Sequence, residues 1–137
     1  MVSRECHDRA VDPEALFDGV VGFPAVLERV RMILAPLVYE VRVTHSQVAF
    51  RAQRGFAWLW RPSRYLGRRG VDVVLAIALD HRDPSARWKE VAHPTPQHWI
   101  HHLEISDAQA IDDEVAGWLL EAARLAGARR RDAQSPV

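Results

Sequence analysis

Cysteine, lysine and long apolar runs are scarce in this sequence of 137 residues. Cys6 is the single cysteine, so the chain has neither the partner for an internal disulfide nor a zinc-finger spacing. No run approaches the roughly 20 apolar residues that cross a bilayer, and the first residues lack the apolar segment of a signal peptide. We therefore expect a cytoplasmic protein with no membrane partner, folded as one domain.

The motifs of the commonest enzymes are also missing. No serine lies in a Gly-x-Ser-x-Gly turn. The stretch from Gly67 to Gly70 lacks the Lys-Ser/Thr ending of a phosphate-binding loop. No motif indicates a cofactor. Whether the protein is an enzyme stays open, because acid–base chemistry needs only a well-placed histidine or carboxylate.

Hydrophobic periodicity predicts an α+β fold, with a mainly antiparallel sheet of five to six strands packed with an N-terminal and a C-terminal helix. Residues 23–37 place apolar side chains at helical spacing, and Pro36 should end that helix. From residue 39 the period becomes two, with turn residues between short runs. We place a single domain at residues 12–127, a flexible terminus at 1–11 and a disordered tail at 128–137.

Later segments complete this prediction. Val71–Leu79 is a nearly continuous apolar run, as expected of a central strand with both faces covered. Residues 86–92 and 98–105 should form two further strands. Ser106–Gln109 matches a capping box that should begin the last helix, and Gly127 lies where a C-terminal cap belongs.

An acid-free basic segment is the strongest functional signal. Seven arginines and no acidic residue lie between Val41 and Val71, with Trp58, Trp60 and Tyr65 interleaved. Arginine suits phosphate and carboxylate groups, and aromatic rings stack on bases, so this segment could form an anion-binding surface. The alternative is a solvated sheet edge in an arginine-biased sequence, with the aromatic rings on the core face.

The three histidines near residue 100 would make a metal cluster only on a helix. In a strand, His98 and His102 share a face about 13 Å apart, at about 3.3 Å per residue, and His101 points the opposite way. No metal site is therefore predicted. His102 and Glu104 should lie on the polar face, where a groove could bind an anion or host proton transfer. A purely structural histidine is the alternative.

These two signals define a predicted ligand-binding set, with no residue assigned to catalysis. Its members come from the acid-free segment and from the histidine strand. They are Arg42, Thr44, His45, Gln47, Arg51, Arg54, Arg61, His102 and Glu104.

Four short stretches are distinctive in combination. They are Phe50–Arg51 with Arg54–Trp58, then Pro62, then Trp99–Leu103, and last Asp112–Val115 with Trp118–Leu119. This order resembles an uncharacterised bacterial family, a domain of unknown function sometimes labelled a predicted transport protein. The resemblance covers roughly residues 15–125 and implies a small α+β domain with no established activity. His45 stands where that family is expected to have a lysine.

Three functions follow as hypotheses. The first is a binding domain whose basic, aromatic-bearing face recognises an anionic small molecule or a phosphate group, with nucleic acid as a weaker variant. The second is homodimerisation or another protein interaction that uses the five tryptophans. The third is a small enzyme that uses His102 for acid–base chemistry.

Overall fold

The structure, a computed structural model, describes Val20 and residues 22–44, 47–61 and 73–131. The predicted flexible terminus at 1–11, His45 and the loop from Gly67 to Gly70 lie outside this part. Within it, the elements in chain order are α1 (Phe23–Leu34), β1 (Leu37–Val38), β2 (Glu40–Val43), β3 (Gln47–Arg51), β4 (Gly55–Trp60), β5 (Val73–Leu79), β6 (Glu90–Thr95), β7 (His98–Ile105), a 3-10 turn (Ala108–Ala110), α2 (Asp113–Leu125) and β8 (Arg129–Arg130).

Six strands form one sheet in the order β2-β3-β4-β5-β7-β6. Every neighbouring pair is antiparallel, as the short connections require. Strands β1 and β8 form a separate antiparallel pair. The predicted α+β fold, an antiparallel sheet with an N-terminal and a C-terminal helix, is confirmed. Within the described ranges, no helix has the length and apolar character that a membrane span requires.

The two helices form where local sequence favours them. Helix α1 has Pro24 in its first turn and ends at Leu34, just before Pro36, because proline fits a first turn but interrupts a helix interior. Helix α2 ends in a Schellman motif, in which the N–H of Ala128 donates to the carbonyl of Ala123 at 2.9 Å. Gly127 adopts a φ of 90° there, which confirms the predicted C-terminal cap.

Both helices pack on the same face of the sheet, and the core lies between that face and the two helices. The central strand β5 contributes Val73, Leu75, Ile77 and Leu79, each exposed by 2% or less. Burying a large aliphatic side chain this completely stabilises the fold by about 1.5–3 kcal/mol. The apolar residues of α1 and α2 therefore decide which face of the sheet is covered.

A bulge in β4 changes which of its residues face the core. Phe50 pairs with Ala57 and Arg51 pairs with Gly55, so Phe56 is an extra residue on β4. Phe56 and Ala57 are consequently both buried in the core. The strand resumes its alternation after the bulge with the next side chain on the opposite face.

Two predicted boundaries were wrong. Most of the expected strand at 86–92 is loop, and β6 begins at Glu90 and includes Pro94; proline is tolerated because β6 is an edge strand. The expected capping box begins only a 3-10 turn, whose cap is Asp107. Helix α2 starts later, where the side chain of Asp112 accepts a hydrogen bond from the Val115 N–H.

The chain end is more ordered than predicted. Residues 128–137 are expected to form a disordered tail, whereas Arg129–Arg130 pair with Leu37–Val38. The Arg131 guanidinium also donates to the carbonyls of Ala35 and Leu37, at 3.0 and 2.9 Å. These bonds satisfy carbonyl groups that the end of α1 leaves unpaired. Residues 132–137 lie outside the described part.

Candidate functional site

The sheet face opposite the two helices, here called the open face, carries most of the predicted site. One row of cross-strand neighbours runs across it, consisting of Arg42, Ala49, Trp58, Ala76 and His102. No helix of the described part covers this row. The prediction that both faces of β5 are covered is confirmed by burial, since Val74 and Ala76 on this face are only 6% and 3% exposed. On this face, however, the neighbours of Ala76 are the side chains of Trp58 and His102 rather than a described helix.

A basin of about 330 Å³ opens on this face. Ala76, on the strand between β4 and β7, forms its floor because its side chain is the smallest at the centre. The surrounding side chains come from the strands on either side and are Gln47, Trp58, Trp60, Ile100 and His102. The volume lies at the lower end of the range of about 300–1,000 Å³ that is typical of small-molecule sites.

The two indoles on the open face have different partners. Trp60 meets His102 edge to face, with ring centroids 6.1 Å apart and an interplanar angle of 82°. Trp58 lies over Gly55, where an added Cβ would come within 2.9 Å of the indole and 3.6 Å of Arg51 Nη1. The absence of a side chain at Gly55 therefore lets Trp58 and Arg51 approach each other.

This arrangement corrects the alternation expected for β4. The sequence pattern groups Phe56 with Trp58 and Trp60 on one face. The alternative to an anion-binding surface, a solvated sheet edge, places those three rings in the core. Because of the bulge, only Phe56 enters the core, while Trp58 and Trp60 remain partly exposed on the other face.

Charge on the open face is divided between its two sides. Arg42 and Arg51 lie on β2 and β3, where Glu40 is the cross-strand neighbour of Arg51, and neither arginine forms an ion pair with any described residue. On the other side, Glu104 lies 3.8 Å from Lys89 Nζ, and Glu90 is the cross-strand neighbour of His102. Both arginines therefore lie on the β2–β3 side of the open face, with Glu40 beside Arg51 and Arg51 close to the Gly55–Trp58 contact.

The other predicted residues are placed as follows. Thr44 lies next to the basin residue Gln47, whose backbone N–H donates to the threonine hydroxyl at 3.2 Å. Arg54 lies at a different place, beside a cavity of about 10 Å³ under the end of α2, which has room for about one water molecule. Arg61 directly follows β4 and is half-buried. Of the predicted set, Gln47 and His102 line the basin. Arg42 and Arg51 lie on the same face on β2 and β3, separated from His102 by two or more strands, and Glu104 lies further along β7.

The two ring nitrogens of His102 differ in their surroundings. Nδ1 is buried and has no hydrogen-bond partner among the described residues. Since an unpaired buried N–H is rarer than an unpaired buried acceptor, this favours the tautomer with its hydrogen on Nε2. Nε2–H is then the polar group that His102 can offer to a ligand.

A second polar cluster lies on the covered face and was missed by the sequence reasoning. His101, the one fully buried polar side chain among the described residues, accepts from the Asp83 N–H through Nε2 at 3.0 Å. Its Nδ1 lies 3.1 Å from the Trp99 carbonyl, so the ring is neutral with its hydrogen on Nδ1. Burial lowers the pKa of His101, and the bonds to the Ile77 and Trp99 carbonyls oppose that shift.

Asp83 joins this cluster to α2. One carboxylate oxygen accepts from Trp88 Nε1 at 3.1 Å and from the Ser85 N–H at 3.0 Å, and the other accepts from Trp118 Nε1 at 3.2 Å. Desolvation would raise the pKa of Asp83, but the bonds from Ser85, Trp88 and Trp118 hold it below its ordinary value. With both oxygens already occupied, we interpret this cluster, here called the Asp83 latch, as structural.

Arg87 strengthens the same connection at the start of α2. Its guanidinium binds Asp112 and Glu114, with contacts of 3.1 and 2.8 Å, and donates to the Ala110 carbonyl at 3.2 Å. It also lies 5.8 Å from the ring centre of Trp118. These contacts attach the loop between β5 and β6 to α2, so we interpret Arg87 as a structural residue rather than a ligand-binding one.

Potential metal ligands occur in two places. On β7, His101 faces the covered side and His102 the open side, so the predicted strand geometry is confirmed and these imidazoles are kept apart. Elsewhere, Asp80, His81 and Glu121 each place a ligand atom within 4.8 Å of the others. His81 Nε2 lies 2.9 Å from Glu121 and 4.0 Å from Asp80, which an exposed ion pair between β5 and α2 explains.

Comparison with known proteins identifies a family but no function. Residues 24–126 match the family model DUF5655, a domain of unknown function, and the chain belongs to that family. The matched residues include both helices and all six strands of the main sheet. No curated protein and no solved structure matches the chain.

Proposed function

Because the DUF5655 family to which this chain belongs has no assigned function, we propose from the geometry that the protein is a binding domain for a small anionic ligand. The basin on the open face is the site. Trp58 and Trp60 supply apolar contact, and Arg42 and Arg51 supply positive charge. The observation that carries the proposal is that an aromatic basin shares its sheet face with Arg42 and Arg51, which form no ion pair with any described residue.

Apolar character supports a site on this face. A sheet covered by helices on one side ordinarily presents polar side chains to water on the other. Here the centre of the open face consists of Ala76, Ile100 and two indoles. Such a surface, with a few polar groups at its margin, is typical of ligand sites in proteins.

Charge supports an anionic ligand. Charge-assisted hydrogen bonds from guanidinium to phosphate or carboxylate are stronger than neutral ones. Arg42 and Arg51 have no competing ion pair in the described part, and the Nε2–H of His102 adds a donor on the opposite side of the basin. An anionic group bound at Arg42 and Arg51 would gain their donors without breaking a salt bridge to any described residue, and a ligand that extends into the basin would also reach His102.

The enzyme hypothesis has less support. No described carboxylate forms a hydrogen bond with His102, which would orient and activate an imidazole used as a general base. Glu104 is instead close to Lys89. The homodimer hypothesis predicts that the open face is covered by a second copy, and light scattering at high protein concentration distinguishes it from a monomer with an accessible basin.

The proposal can be tested by NMR, using the tryptophan side chains as reporters. Ribose 5-phosphate and AMP are titrated at low and high salt while the five indole N–H signals are followed. We expect the signals of Trp58 and Trp60 to move, because they line the basin, and those of Trp88 and Trp118 in the Asp83 latch to stay. Binding should weaken at high salt, since the charges are exposed to solvent.

A pair of variants provides the control. The double variant Arg42→Gln with Arg51→Gln should remove most of the binding. Arg31→Gln removes an exposed arginine on α1, away from the open face, and should leave it unchanged. If neither probe causes a salt-sensitive shift of the Trp58 and Trp60 signals, the proposed function is wrong.

A further inference from the structure

The proposed site has two parts that lie apart on the open face. One is the aromatic basin above Ala76, and the other is the basic part at Arg42 and Arg51. The basin floor at Ala76 is one strand spacing from Trp58, and Arg42 is three spacings from Ala76 in the same row. At about 4.8 Å per spacing, the backbone of Arg42 is about 14 Å from that of Ala76. An arginine side chain extended across the small Ala49 would shorten this gap, and its charge would then lie beside the basin rather than over its floor.

The aromatic part is shaped for a flat group. Trp58 leans over Gly55, away from Trp60, and Trp60 is held against His102 by their edge-to-face contact. The space between these two indoles has Ala76 beneath it and Ile100 on one side. A flat ring gains the most contact in such a space, because base-sized π systems stack on indoles.

Resting on the proposed function, we infer that the ligand is a mononucleotide-like molecule: an aromatic base in the basin and a phosphate on Arg42 and Arg51. Gln47 and the Nε2–H of His102 offer hydrogen bonds to the edge of the base, since a primary amide both donates and accepts. The sugar spans the distance between the two parts. A compact anion such as inorganic phosphate occupies only one of them.

The experiment compares three probes that divide this molecule. AMP contains the base and the phosphate, adenosine lacks the phosphate, and ribose 5-phosphate lacks the base. Affinities are taken from the NMR titrations of the indole signals. We expect AMP to bind about 5- to 150-fold more tightly than ribose 5-phosphate, the range that stacking of one base provides. AMP should also bind at least about tenfold more tightly than adenosine.

Two variants locate the parts separately. Trp58→Ala should reduce AMP affinity toward that of ribose 5-phosphate while changing the latter little. Arg42→Gln should reduce AMP affinity toward that of adenosine while leaving adenosine binding unchanged. If Trp58→Ala does not fold, the comparison of the three probes on the natural protein still decides the question.

Each result has one interpretation. Equal affinity for AMP and ribose 5-phosphate would overturn the mononucleotide inference and leave an anion-binding function intact. Equal affinity for AMP and adenosine would overturn both, because the phosphate would contribute nothing. A single-stranded oligonucleotide that binds while AMP does not would overturn the inference in favour of nucleic acid.

Discussion

Replacing Asp83 with alanine tests whether the Asp83 latch is structural. The carboxylate accepts three hydrogen bonds, from the Trp88 and Trp118 indoles and from the Ser85 N–H. A hydrogen bond to a charged group contributes about 1.5–3 kcal/mol, and bonds in one network do not add fully. We therefore expect Asp83→Ala to lower the free energy of unfolding by about 3–5 kcal/mol.

That loss is a large part of the total stability of an ordinary domain, about 5–15 kcal/mol. For a chain of this length, about 3–4 °C per kcal/mol gives a fall in Tm of about 9–20 °C. Urea denaturation followed by tryptophan fluorescence measures the free energy directly, and calorimetry measures the Tm. Asp80→Asn, which alters a neighbouring exposed carboxylate, should change the stability by less than about 0.5 kcal/mol.

Binding separates the latch from the proposed site. At a temperature where the Asp83→Ala protein is folded, it should still bind AMP, because Asp83 contacts the covered face and α2 rather than the basin. A loss of stability below about 1 kcal/mol would refute the structural interpretation. A normal Tm combined with lost binding would make Asp83 a functional residue.

Two further predictions concern a backbone conformation and an ion pair. Gly127→Ala should destabilise the protein by about 1–2 kcal/mol, since φ is 90° and the new Cβ would lie 2.6 Å from Gln53 Cδ. The control is Gly117→Ala, in the middle of α2 with open space around it, which should stabilise the protein by up to about 1 kcal/mol. Equal effects of the two variants on the free energy of unfolding in urea would contradict this account. The hydrogen bond to Glu121 raises the pKa of His81 above 6.5. This exposed pair therefore stabilises the fold below pH 6.5, and its contribution is lost as the pH rises through the raised pKa. In Glu121→Gln, NMR titration should show the pKa of His81 return toward 6.5, and an unchanged pKa would exclude the pair as the cause.

Local periodicity was sufficient for much of the fold. The apolar stripe of α1, its end before Pro36 and the cap at Gly127 depend on residues within one or two turns of each other. The alternation in β7 likewise assigned His102 to the open face and His101 to the covered face. These features could be predicted because each is decided by neighbours in sequence.

The aromatic basin could not be assigned from local sequence. Nearly every residue from Phe56 to Trp60 is apolar, so the period of two does not distinguish the faces of β4, and the bulge at Phe56 reverses the expected assignment. Asp83 gave no signal either, since its partners Trp88 and Trp118 come from distant parts of the chain. Only the strand order of the folded sheet places arginines of the acid-free segment and one side of β7 on the same face.

The strongest reason to look for a ligand on the open face is that its partly exposed indoles are energetically unfavourable in water. Trp58 and Trp60 are half-buried and leave part of their apolar surface in contact with water, at about 25 cal/mol per Å². Apolar surface of this kind favours association with other molecules. Neither indole belongs to the core that the opposite face of the same strands forms with the helices. The core therefore does not explain why indoles occupy these two positions, and a binding partner on their own face is the physical reason that we propose.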